Sequence, residues 1–192
     1  MLRQLQKLGK AMQLPVAVLP ICGILMGLGY ALAPGAMGVP GAPTSGAAYV
    51  IGFFLIKAGG AIIDNMAILF AIGVGVGLAQ GGDGVGGVAG LVSWLMMTNL
   101  LSPGVVSTIV PAMCEAGSTN EVAFGKIANP FIGILAGVIG AICYNKFKNT
   151  KLPDALAFFS GKRCVAIVTG VVSILVSVVL LFTWPVIFGA LV

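Results

Sequence analysis

One apolar run near the middle of the sequence limits what this chain can fold into. Residues 60–79 form an uninterrupted stretch of 20 residues, which as an α-helix is about 30 Å long and matches the hydrocarbon core of a bilayer. Asp64 and Asn65 lie near its start, and Lys57 comes just before it. Because charged and amide groups in an apolar span are costly unless they face protein or water, these three residues are candidates for a polar substrate site. A structural role, with hydrogen bonds across a helix interface and pairing of Asp64 with Lys57, is the alternative that we favour.

Composition places the whole chain in a membrane. Of its 192 residues, 59% are hydrophobic and only 8% are charged, whereas soluble domains carry about 25% charged residues. The chain has no histidine, and its four cysteines stand singly, so we expect no metal site, no cofactor and no catalytic residue. The basic residues flank apolar runs, so the net charge of +5 indicates membrane orientation and not nucleic-acid binding.

The hydrophobic pattern predicts an all-α integral membrane protein. An amphipathic helix over residues 1–13, with Lys7 and Lys10 opposite a leucine face, is expected to lie in the lipid headgroup plane. About five transmembrane helices follow, predicted at 14–33, 60–79, 85–101, 126–144 and 164–184. Residues 49–58 are predicted to form a short interfacial element, and one tilted helix over 49–79 is the alternative.

Basic residues are distributed unequally between the two sides that these spans define. Eight lie on the side of the N-terminus and only Lys57 and Lys126 lie on the other; the eight are Arg3, Lys7, Lys10, Lys146, Lys148, Lys151, Lys162 and Arg163. Since cytoplasmic loops carry the excess of lysine and arginine, the N-terminus is predicted to be cytoplasmic.

Small residues recur at four-residue spacing within the predicted spans. Such faces allow the close backbone approach on which helix association in lipid depends, so we expect helix packing, and a homodimer, to involve Gly23, Gly27, Gly73, Gly77, Gly133 and Gly137. The related pairs are Gly86 with Gly90 and Ser173 with Ser177. Residues 82–87, GDGVGG, match a dinucleotide-binding pattern, but they follow a membrane span, and no acidic residue lies about 20 residues further on. Nucleotide binding is therefore rejected.

Three sequence blocks are spread over most of the chain: LQKLGKAMQLPVAVLPICGILMGLG (5–29), AGGAIIDNMAILFAIGVGVGLA (58–79) and YNKFKNTKLPDALAFFSGKRCVAIVTG (144–170). Together they resemble the sugar-permease (IIC) domain of the bacterial phosphoenolpyruvate-dependent phosphotransferase system, in its glucose, N-acetylglucosamine and maltose branch. The third block is the most specific, although CVA follows its Lys-Arg pair where family members commonly have Phe-Val-Pro.

The resemblance implies a multi-pass protein of the bacterial inner membrane that takes up sugar coupled to its phosphorylation. Family permease domains are about twice as long, and their C-terminal half carries the sugar site. The resemblance therefore implies that residues 14–192 are the N-terminal interface half, which forms the homodimer and needs the missing C-terminal permease half for activity. The resemblance also implies that the chain is part of a protein-phosphocysteine-sugar phosphotransferase, with a cytoplasmic IIB domain or subunit as its partner, docked near Lys162 and Arg163. These two cations are also explained as a positive-inside anchor.

An unrelated membrane binding or pore-forming module is the alternative function, with Asp64 and Asn65 lining a conduit. The sequence does not identify the sugar: N-acetylglucosamine, glucose and maltose all remain candidates.

Overall fold

The structure is a computed structural model that describes residues 2–114 and 117–191, without the side chains of residues 2–5, 154–156 and 191. The described residues form nine α-helices: α1 (Leu2–Val16), α2 (Leu19–Leu32), α3 (Ala47–Asp64), α4 (Met66–Leu78), α5 (Gly84–Leu100), α6 (Pro103–Ile109), α7 (Thr119–Gly125), α8 (Pro130–Phe147) and α9 (Lys162–Leu191). Short 3₁₀ turns cover Pro34–Met37, Pro111–Met113 and Asp154–Phe159. The chain divides into two compact units, Gln13–Met66 and a larger unit of Met1–Met12 with Ala67–Val192.

Four helical segments of the described chain are long and apolar enough to cross a bilayer, namely Gln6–Leu32, Ala47–Asp64, Pro130–Phe147 and Lys162–Ala190. The bent pair of α5 and α6, with 59° between its helices, makes a fifth span when counted as one. An all-α membrane protein with about five spans is therefore confirmed.

The predicted span at 60–79 is wrong, and so is the separate element at 49–58. Residues 49–64 belong to α3, and a break at Asn65 separates it from the 13-residue helix α4. The Asn65 side chain donates to the Ala61 carbonyl at 2.7 Å, while its own backbone N–H turns to the Ile63 carbonyl. An asparagine that bonds its own backbone competes with the helical hydrogen-bond ladder, which hydropathy does not register.

The first span is also interrupted. Helix α1 continues to Val16, beyond the predicted end at residue 13, and a turn at residues 17–18 precedes α2. Pro20 lies in the first turn of α2, where its missing N–H costs nothing because that donor has no helical partner. The predicted span at 14–33 is therefore divided by a two-residue turn.

In the smaller unit, α2 and α3 pack through glycine. A Cβ atom added at Gly29 would lie 2.7 Å from the Gly52 carbonyl oxygen, and one at Gly59 would lie 2.6 Å from the Met26 side chain. Gly23 and Gly27 lie on another face of α2, where an added Cβ would meet no atom within 4 Å. The glycines of α2 therefore divide between a packed face and an open face.

In the larger unit, α4, α5 and α8 touch backbone to backbone. A Cβ at Gly137 would lie 2.7 Å from the Val74 Cβ and 2.8 Å from the Ala71 carbonyl oxygen, and one at Gly133 would overlap Ala67. A Cβ at Gly86 would lie 2.5 Å from the Gly75 carbonyl oxygen. Side chains are thus excluded from these contacts, and the three helices form the centre of the bundle.

Helix α9 packs against this centre through hydroxyl groups. Thr169, Ser173 and Ser177 are buried, and each donates to the carbonyl four residues earlier, at 2.7–2.8 Å. The Ser173 hydroxyl also lies 2.8 Å from that of Ser93 on α5. Near the other end of α9, the buried Trp184 indole donates to the Ala123 carbonyl at 2.7 Å and ties α7 to the bundle.

Candidate functional site

The polar turn between α4 and α5 meets the end of α8 and the start of α9. Its central residue is Asp83, which has extended backbone geometry and caps α5 by accepting the Val85 N–H at 3.0 Å. The other carboxylate oxygen accepts from the Tyr144 hydroxyl at 2.8 Å and from the Lys162 ammonium at 2.5 Å. One carboxylate therefore holds the starts of α5 and α9 and the end of α8 together.

A second set of contacts joins the same turn to α8. Asn145 accepts the Gln80 backbone N–H at 2.7 Å and donates to the Leu78 carbonyl at 3.0 Å. The Lys148 ammonium donates to the Gln80 side-chain oxygen at 2.8 Å. The backbone groups released where α4 ends are thus satisfied by an asparagine from α8, which fixes the turn.

The electrostatics of this junction favour an ionised carboxylate. The hydrogen bond from Lys162, with those from the Val85 N–H and Tyr144, holds the pKa of Asp83 well below its usual range. The side chain of Asp83 is 21% exposed and that of Lys162 is 60% exposed. Asp83 therefore acts as a permanently charged tether at neutral pH and not as a proton-transfer group.

Helix α1 reaches the same end of the larger unit. A Cβ at Gly77 would lie 2.5 Å from the Ala11 Cβ, so α1 crosses α4 one turn before the polar turn. Lys7 and Lys10 on α1 are exposed. We call this end, comprising α1 up to Met12, the turn at 79–83, the end of α8 and residues 148–163, the basic end.

The connection from α8 to α9 is an ordered loop. The Gly161 N–H donates to the Thr150 carbonyl at 2.8 Å, and the Leu152 N–H donates to the Ser160 hydroxyl at 2.9 Å. The Arg163 guanidinium lies 4.6 Å from the centre of the Phe158 ring and donates to the Phe158 carbonyl at 3.1 Å. This loop holds Phe158, which is 70% exposed, on the surface.

The residues predicted for partner docking and for a polar site lie in different units. Lys162 and Arg163 belong to the basic end, where one already contacts Asp83 and the other Phe158. Lys57, Asp64 and Asn65 are exposed in the smaller unit, and the Lys57 ammonium lies 5.3 Å from the Phe53 ring centre. Among the described residues the ion pair is that of Lys162 with Asp83, so the expected pairing of Asp64 with Lys57 is not formed.

The predicted packing glycines are also distributed unevenly. Gly133 and Gly137 contact α4, and Gly77 contacts α1, all within the larger unit. Gly73 is half-buried on α4, whereas Gly23 and Gly27 face open space. Two glycines of the 82–87 segment serve helix packing too, because a Cβ at Gly86 or Gly87 would meet α4.

Sequence reasoning missed Asp83, Tyr144 and Asn145. The usable signal was the aspartate directly before an apolar helical run, which is typical of a helix N-cap. Nothing in the sequence indicates that Tyr144 and Lys162, which lie 61 and 79 residues away along the chain, share its carboxylate.

Chemically, the basic end is suited to binding anionic groups. The described residues contain no cluster of histidine, cysteine, aspartate and glutamate that could hold a metal ion. Its exposed cations, two of them Lys146 and Lys151, are instead positioned to attract negative charge.

Comparison with known proteins agrees with the helical architecture. The sequence model of the family "Phosphotransferase system, EIIC" matches residues 9–192. The chain is similar to the glucoside-specific EIICBA component of a phosphotransferase system from Staphylococcus carnosus, with 39% identity over 198 aligned positions. That alignment covers 95% of this chain but only 28% of the relative's length.

Proposed function

Since this chain belongs to the EIIC family of the phosphotransferase system, we propose that it supplies the dimer-forming scaffold of a transporter that couples sugar uptake to sugar phosphorylation. The observation that carries the proposal is the family match over 9–192, together with a bundle whose helices touch backbone to backbone. Residues 14–192 then form the interface half of the permease, and sugar contacts belong to other parts of the transporter. The sugars proposed are of the glucose, N-acetylglucosamine or maltose type.

The geometry supports this function over a conduit lined by Asp64 and Asn65. Both residues are exposed at the break between α3 and α4, and the Asn65 amide is bonded to its own helix. A conduit would instead need polar groups gathered around a cavity inside the bundle. The Asn65 amide therefore serves the helix break.

We further propose that the protein lies in the inner membrane of a bacterium and that its basic end faces the cytoplasm. The junction at Asp83 brings 80–84 and 145–163 to one end, and the contact of Ala11 with Gly77 brings α1 there too. These segments hold eight of the ten basic residues. The positive-inside rule places such an excess of lysine and arginine on the cytoplasmic side. A membrane-impermeant thiol reagent, applied to a variant lacking the native cysteines, should label a cysteine at Ser45 from outside but not one at Thr150; the reverse pattern would overturn the orientation.

The partner proposed for this end is a IIB domain that carries a phosphocysteine. Its anionic phosphoryl group would be attracted by Lys162 and Arg163, which begin α9. Arg163→Gln is the cleaner variant, because Lys162 also holds Asp83. Binding of a phosphorylated IIB domain should weaken in Arg163→Gln and stay unchanged in Lys126→Gln, a matched change at the end of α7.

Sugar phosphorylation tests the scaffold proposal directly. The purified chain, mixed with the soluble phosphotransferase proteins, phosphoenolpyruvate and sugar, should form no sugar phosphate above background. Addition of a C-terminal permease half from a family member should be required for turnover. Robust turnover by this chain alone would place the sugar site within it and refute the scaffold assignment.

A further inference from the structure

The α8–α9 loop presents an aromatic surface that the protein leaves uncovered. Phe158 is 70% exposed and Phe159 is 41% exposed, and their rings form an edge-to-face pair with centres 5.3 Å apart. The loop is nevertheless ordered by the bonds of Gly161 to Thr150 and of Leu152 to Ser160. Two phenylalanines held outward by an ordered loop indicate a surface that another phase or molecule covers.

Cations lie at both ends of the loop that carries this aromatic pair. Arg163 lies over the Phe158 ring, Lys146 lies 5.9 Å from the Phe147 ring centre, and Lys148 lies 5.4 Å from that of Tyr144. Lys151 is exposed in the loop itself. Residues 145–163 carry five basic residues and one aspartate, Asp154. A surface with this balance favours an anionic occupant.

The position of the loop along the bundle decides between possible occupants. The start of α1, up to Lys10, is amphipathic and basic, a type of segment that lies at the headgroup level, and Ala11 directly after it contacts Gly77 on α4. The turn that follows Gly77 is bonded to Asn145 at one end of the loop, and through Asp83 to Lys162 at the other. Both ends of the loop are therefore held close to the level of α1.

We propose that Phe158 and Phe159 insert into the bilayer interface and that Lys146 and Lys151 bind the phosphates of anionic phospholipids there. Phenylalanine side chains on interfacial segments bury at the boundary between headgroups and acyl chains, and basic side chains near an anionic leaflet attract its lipids. The aromatic pair supplies apolar contact, which does not depend on headgroup charge. The cations supply a preference for phosphatidylglycerol over phosphatidylcholine. This lipid site is independent of the proposed transport function.

Fluorescence quenching in nanodiscs tests the proposal with the full chain. Phe158→Trp is reconstituted in phosphatidylcholine with about 30 mol% phosphatidylglycerol. Two samples are compared, in which the brominated acyl chains are on phosphatidylcholine or on phosphatidylglycerol, and the mole fraction of brominated lipid is the same in both. The wild-type chain supplies the background signal of Trp94 and Trp184. We expect stronger quenching when the bromine is on phosphatidylglycerol, because one effective cation enriches this lipid beside the tryptophan by about fivefold over the bulk bilayer.

Two further variants separate the contributions. Val122→Trp places a probe at a position 52% exposed on α7, away from the basic end, and should show no headgroup preference. Lys146→Gln with Lys151→Gln, added to Phe158→Trp, should reduce the preference while quenching persists. Equal quenching by the two brominated lipids would overturn the anionic site. No quenching by either lipid would overturn insertion altogether and leave the aromatic pair to a protein partner.

Discussion

Adding one methyl group at Gly137 should separate two helices at the centre of the bundle. In Gly137→Ala the new Cβ would lie 2.7 Å from the Val74 Cβ, 2.8 Å from the Ala71 carbonyl oxygen and 3.0 Å from the Gly75 nitrogen. Carbon atoms in favourable contact lie about 3.5–4.0 Å apart. Two of the three obstacles are backbone atoms, so α4 must move from α8 by roughly 1 Å, a gap that forfeits a quarter to a half of each contact energy.

The expected net effect follows from two opposing terms. Overpacking of an ordered interior costs about 1–3 kcal/mol, while replacing a helical glycine by alanine returns up to about 1 kcal/mol. We therefore expect Gly137→Ala to lower the free energy of unfolding by about 1–2 kcal/mol.

Gly60→Ala is the matched control, because Gly60 is also inside a helix, and a Cβ there meets no atom within 4 Å. It should be neutral or stabilising by up to about 1 kcal/mol. Steric-trap unfolding in micelles, followed by tryptophan fluorescence, compares the two variants. If Gly137→Ala proved as stable as Gly60→Ala, the backbone contact between α4 and α8 would not exist in the folded protein.

Three further outcomes test other parts of the structure. Asp83→Asn should destabilise the protein at neutral pH, because the folded state holds the pKa of Asp83 well below its unfolded value. The difference in stability should narrow as the pH falls below about 4, where the carboxylate of the unfolded chain takes up a proton while that of the folded protein is still charged, and melting curves at pH 7 and pH 3 measure it. Trp184→Phe leaves the Ala123 carbonyl without its donor and should cost about 1–3 kcal/mol, seen as faster proteolysis near α7, whereas unchanged cleavage would contradict the tether. Gly27→Leu adds a bulky side chain to the open face of α2 and should convert a homodimer that uses this face into a monomer. Single-molecule photobleaching should then show one step instead of two, and a persistent dimer would place the dimer contact on another helix face.

Hydropathy and spacing predict the membrane class and most of the helices because these depend on local composition. The span predicted at 85–101 corresponds to α5, Gly84–Leu100, since a run of apolar residues marks it. The same approach fails at Asn65, because one side-chain hydrogen bond breaks a helix whose hydropathy is continuous. Sequence spacing identifies small faces, but it does not distinguish Gly137, which meets α4, from Gly27, which faces open space.

The candidate site was the least predictable part. Lys162 and Arg163 stand out in the sequence as cations at the start of a span. Their intramolecular partners, the Asp83 carboxylate and the Phe158 ring and carbonyl, depend on how α5, α8 and a loop meet in space. Contacts across such sequence distances follow from tertiary packing and leave no local pattern.

The hydroxyl groups of α9 affect the order in which the protein is assembled. All four of them, on Thr169, Ser173, Ser177 and Thr183, donate to carbonyls of their own helix four residues earlier. Hydroxyl groups that bond within their own helix can enter lipid without a neighbouring helix, because insertion leaves none of these donors unsatisfied. The Trp184 indole gains its acceptor, the Ala123 carbonyl, only when α7 packs against α9. The short distance between the Ser173 and Ser93 hydroxyls then arises only when α5 docks. Helix α9 is therefore equipped to insert from the translocon as an independent unit, and the register between α5 and α9 is set afterwards, within the bilayer.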